Sequence, residues 1–127
     1  MAHRSRLAGF IIDCRTDDLD AAARFWSEAL GVRIADPDSG GTGRYAEFGD
    51  TPGGLHIEVQ KVEHESRVHL DIEADDIEAE AARLEALGAK RIAFVQRWWV
   101  MEAPTGQRFC VVRMREAAPR DDAAVWE

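Results

Sequence analysis

The sequence predicts an α+β fold built from two tandem copies of one unit: a strand, a helix, then three strands. Three observations carry this. Period-two alternation runs from Val68 to Ala74, with Val68, Leu70, Ile72 and Ala74 on one face and His69, Asp71 and Glu73 on the other. A helical stripe of Ile77, Ala81, Leu84 and Leu87 follows and stops at Gly88. Most telling is an internal repeat: IIDCRTDDLDA from Ile11 aligns with HLDIEADDIEA from His69. EALG recurs at Glu28–Gly31 and Glu85–Gly88, and Asp50, Pro52 and Gly54 match Glu102, Pro104 and Gly106 at constant offset.

Taken in order, residues 1–6 read as a loose arm. Leu7–Arg15 alternates as the first strand, with Phe10, Ile12 and Cys14 on one face and Ile11, Asp13 and Arg15 on the other. Asp17 and Asp18 open a helix whose stripe is Leu19, Ala22, Trp26 and Leu30; Gly31 ends it. Val32–Ala35 is a short strand, and DPDSGGTG (36–43) is a loop rather than a phosphate cradle, because no helix start follows it. Arg44–Gly49 and Leu55–Val62 are strands. The second of these places Leu55, Ile57 and Val59 on the core face and His56, Glu58 and Gln60 away from it. In the second copy Asp75 is the expected N-cap, with Glu78 completing a capping box. Lys90–Val95, Arg97–Glu102 and Gln107–Met114 are its last strands, and residues 115–127 read as a tail that Val125 and Trp126 could dock. The modules therefore span about 7–62 and 67–114.

Composition narrows the function. In 127 residues, 46% hydrophobic and 31% charged content suits one domain with its own core. A formal charge of −8 argues against nucleic acid as a partner. No apolar run approaches the ~20 residues of a membrane span, so no membrane partner is expected. Cys14 and Cys110 form no disulfide framework, so the expected location is cytoplasmic.

If the helices cover one face of each half, the polar face is left to curl into a cup. The repeat sets Ile11 against His69, and Glu58 against Cys110, as symmetric positions lining it. His56 and Glu58 share a face, as do His69 and Asp71, offering two imidazoles and two carboxylates. Zinc, nickel, iron or manganese could use such a set; a hydrogen-bonded network without metal is the rival reading. Glu58 could also act as a base if burial raises its pKa. Cys110 is either a nucleophile or a small buried residue. Arg15, Gln60, Arg97 and Arg108 could orient an anionic substrate or stand as rim polar groups. Trp98 and Trp99, on opposite faces, offer an aromatic wall or packing.

DCRTDDLDAAARFWSEALG, RVHLDIEADDIEAEAARLEALGA and WWVMEAPTGQRFCVV, in this order and spacing, resemble the vicinal oxygen chelate superfamily of glyoxalase I, bleomycin-resistance proteins and extradiol dioxygenases. The resemblance covers roughly residues 7–114. It implies two βαβββ modules forming a cup-shaped, incompletely closed mixed β-barrel with helices outside, and a homodimer. It also implies a metal in the cup at positions that fall here on Ile11, Glu58, His69 and Cys110; Ile11 cannot bind a metal. Two functions follow as expectations. One is a metal-assisted or acid–base lyase, isomerase or oxygenase acting on a small molecule, with Glu58 and His69 central and His56 a further metal ligand. The other is a metal-free protein that binds a drug or metabolite.

Overall fold

The computed structural model describes residues 2–116, 118 and 121–127. The strands and helices run β1 (His3–Arg15), α1 (Leu19–Leu30), β2 (Arg33–Asp36), β3 (Tyr45–Gly49), β4 (His56–Val62), β5 (Arg67–Ala74), α2 (Ile77–Ala86), β6 (Lys90–Val95), β7 (Trp98–Glu102), β8 (Arg108–Arg113) and β9 (Ala124–Trp126). This is the α+β arrangement of two βαβββ modules. The chain forms two compact units, Gly9–His69 and a second made of the residues up to Ala8 with Leu70–Glu127.

In the first unit the strand order is β2-β3-β4-β1, with β1 and β4 parallel and the rest antiparallel. Asp18 caps α1 through Ala21 N–H at 3.0 Å, and Gly31 closes it at φ 69, a left-handed backbone that glycine adopts without a Cβ penalty. Trp26, Leu19 and Ala22 then pack on Ile12, Ala46, Phe48, Ile57 and Val59 of the sheet. Because helix and core occupy that face, Ile11, Asp13, Tyr45, Glu47, His56, Glu58 and Gln60 share the other.

The second unit repeats the pattern with order β5-β8-β7-β6 and a parallel β5–β8 pair. Its core is Ala81, Leu84, Met101, Phe109 and Val111. Leu87 does not join the stripe and is 67% exposed, and Leu70, on the apolar face as expected, is 52% exposed. The α2 cap also differs from the sequence reading. Asp76, not Asp75, accepts from Ala79 N–H, because Asp75 Oδ1 is taken by Arg4 N–H at 2.8 Å. Glu78 makes no capping box; it pairs with Arg91 and accepts from Trp99 Nε1.

The termini are the main correction. The expected loose arm is the start of β1, and the expected tail holds β9, antiparallel to it. Long-range partners hold both in place. His3 Nε2 lies 2.8 Å from Glu80 Oε1, a residue 77 positions away, and Trp126 Nε1 donates to Ser5 Oγ at 2.9 Å. Arg83 lies 3.8 Å over the Trp126 ring and also grips Glu80. Nearby, Arg6 and Arg115 clamp Glu73 at 2.7 and 3.0 Å.

Glu73 and Glu80 are both fully buried. Burial alone would raise their pKa values, but hydrogen bonds from Arg115 and Arg6 to Glu73, and from Arg83 and His3 to Glu80, hold both below the usual 4.5. The unfolded chain therefore takes up these protons first as acid is added. The stabilisation is complete above the unfolded carboxylate value and is lost as pH falls through the lower folded values. Urea midpoints should drop between about pH 6 and pH 3, and replacing both glutamates with glutamine should flatten that dependence.

Candidate functional site

The polar face of the first unit is built on β1, β3 and β4, and the end of β5 adds His69. Its centre is Asp13, only 2% exposed. Oδ2 lies 2.8 Å from His69 Nδ1, 3.6 Å from Arg67 Nε and 4.0 Å from His64 Nε2. Oδ1 is buried with no hydrogen-bond partner among the described residues. An ionised carboxylate can only accept, so Nδ1 of His69 carries the proton in this pair and Nε2 is the basic atom. Asp13 thus fixes both the tautomer and the ring orientation of His69.

A second imidazole stands between two carboxylates. His56 Nε2 is 2.8 Å from Glu58 Oε1, and Nδ1 is 3.4 Å from Glu47 Oε2. Gln60, next along the same face, donates Nε2–H to Tyr45 Oη at 3.0 Å. A cavity of about 580 Å3 opens in the same unit, lined by Arg15, Arg44 and Lys61 together with Asp17, Glu63 and several smaller residues. Arg15, Arg44 and Lys61 form no ion pair among the described residues.

Arg15, His56, Glu58, Gln60 and His69 are thus all on the first unit, with His56 and Glu58 in contact. The ligand trio His69, Glu58 and His56 divides: His56 and Glu58 come within 4.8 Å of Glu47, while His69 is held by Asp13. Trp98, Trp99, Arg108 and Cys110 belong to the second unit. There Arg108 Nε donates to Glu102 at 3.2 Å, and Cys110 is buried opposite Asp71. Trp99 is no ligand wall: it packs on the α2 side, edge-on to Phe94 at 5.1 Å and under Arg91 at 4.7 Å. Trp98 points to the opposite face.

Register revises the repeat by two residues. Ile11 is the partner of Glu58 on β4, whereas the partner of Cys110 on β8 is Asp71, not His69. A two-residue step keeps the face and changes the neighbour. Of the metal positions implied by the resemblance, Ile11 offers no donor and is 3% exposed, so the implied four-residue set is incomplete in this chain. Sequence reasoning missed Asp13, Glu47, Arg44 and Lys61. Only Asp13 had a signal, its repeat match to Asp71 on a polar face.

A family model for the glyoxalase-like domain matches residues 9–112. No curated protein matches the chain. Among solved structures, a hypothetical protein from Bacillus halodurans superposes with TM-score 0.62 at 15% identity, over 91% of this chain and 98% of that one. Methylmalonyl-CoA epimerase from Mycobacterium tuberculosis gives 0.58 at 18% identity, over 89% and 90%. A glyoxalase/bleomycin resistance/dioxygenase superfamily member from Vibrio splendidus gives 0.51 at 16%, over 84% and 98%. At these identities the likeness is one of fold; with the family match over most of its length, the chain belongs to the glyoxalase-like domain family.

Proposed function

We propose that this protein is an acid–base enzyme that moves a proton on a small carbonyl-bearing anion, an isomerase or lyase reaction. The Asp13–His69 pair, 2.8 Å apart with Asp13 buried, carries the reading. His69 Nε2 would remove a proton from the carbon beside a carbonyl, leaving the electron pair on the carbonyl oxygen as an enolate. Asp13 is the positioning residue that stabilises the imidazolium so formed. Glu58, on the same face and hydrogen-bonded to His56, is the second proton-transfer group. Arg15, on the same face of β1 as Asp13, is the anchor for the substrate's carboxylate or phosphate. A structural neighbour named as an epimerase supports this class, and the two free cysteines suit a reducing cytoplasm. The exposed Leu70, Ile92 and Phe94 suit a homodimer.

The test is deuterium incorporation from heavy water into a panel of 2-substituted acyl thioesters and hydroxy-carbonyl acids, followed by mass spectrometry. Wild type should exchange at least one of them. His69→Ala should lose on the order of a hundredfold or more, the usual share of a general base. Asp13→Asn should slow exchange and shift its pH profile. A ligand that binds but never exchanges would sink the enzyme reading. It would leave the metal-free binder, which Ile11 at a ligand position favours and in which Trp98 would line the ligand.

A further inference from the structure

Glu47 and Glu58 are direct register partners across β3 and β4. Two carboxylates opposite one another in a ladder repel, and a sheet retains such a pair at a cost unless a cation lies between them. His56, two residues before Glu58, occupies that place. One ligand atom from each of the three residues lies within 4.8 Å of the others, and all three are half-buried on rigid strands.

We propose that Glu47, His56 and Glu58 form a divalent transition-metal site contained within the first unit. One imidazole nitrogen and two carboxylate oxygens are donors that zinc, manganese, cobalt or iron(II) accept, and two carboxylates neutralise the charge of the ion. Three protein donors leave further coordination positions for water or an oxygen of a ligand. The site differs from the set implied by the resemblance. It draws on β3 and β4 alone, and of the implied positions Ile11, Glu58, His69 and Cys110 it shares only Glu58. It shares Glu58 with the acid–base reading, but neither Asp13 nor His69 supplies a ligand.

The experiment uses the full chain, stripped with a chelator and titrated with Co2+ by visible absorption and with Zn2+ by calorimetry. Wild type should take up one equivalent. Glu47→Gln and His56→Ala should each weaken binding at least about tenfold, since even changes around the ligands of a metal typically cost that much. His69→Ala should bind as wild type does. Glu47 is the informative position because its side chain is 37% exposed and glutamine keeps its shape, so the fold should survive; circular dichroism checks this. No uptake by wild type would show that His56 alone bridges the carboxylates and overturns the proposal. Uptake that survives Glu47→Gln but is lost in His69→Ala would overturn it too, by locating the ion elsewhere. Neither result depends on whether His69 moves protons.

Discussion

Gly9→Ala should unfold the first unit or force β1 out of register, with a loss of about 3 kcal/mol or more. Gly9 pairs with His56 in the parallel β1–β4 ladder. A Cβ at position 9 would lie 1.9 Å from the His56 carbonyl oxygen and 2.6 Å from its carbon. These are backbone atoms, so no rotamer change relieves the clash. The strands must separate, and the separation acts first on His56. Urea denaturation should show a much lower midpoint. Any folded fraction should bind Co2+ more weakly, because the imidazole has moved relative to Glu47 and Glu58. A Gly9→Ala variant with wild-type stability would mean that the two strands lie farther apart than the register requires.

Arg6→Ala should cost about 3 kcal/mol, as removing one member of a buried ion pair typically does. Glu73 has no exposed surface, and Arg6 is almost as enclosed. Arg115 also reaches Glu73, but it is far more exposed and cannot replace the lost donor from the β1 side. The variant therefore leaves a buried carboxylate with a single cation and frees Asp122, the other Arg6 partner, from the terminal segment. The loss should be smaller in acid, where Glu73 takes up a proton and no longer needs a counter-charge. Chemical denaturation at two pH values reads this directly; an equal loss at both would mean that Arg6 contributes packing alone.

Strand alternation, the helix stripes and the repeat make the two modules legible in the sequence. They also assigned His56, Glu58, Gln60 and His69 to polar faces correctly. These are local features: a period of two or 3.6 residues is written into neighbouring side chains and needs no knowledge of distant partners. Apart from the start of β1, strand boundaries shifted by a residue or two, as at β4, which begins at His56 rather than Leu55. The expected cap Asp75 gave way to Asp76 because the backbone N–H of Arg4, far away in sequence, takes the Asp75 carboxylate.

What the sequence determined by itself was the fold class, the order of the elements from β1 to β8 and the polar and apolar faces of the strands. Tertiary structure alone decided who meets whom. The Asp13–His69 pair joins residues 56 positions apart, and His3–Glu80 joins residues 77 apart. Glu47 entered the site because β3 pairs with β4 in one register rather than another two residues along. The physical reason is that a face is fixed by alternation within one strand. A contact of 2.8 Å depends on the register between strands, which the packing of each unit's strands against its helix sets.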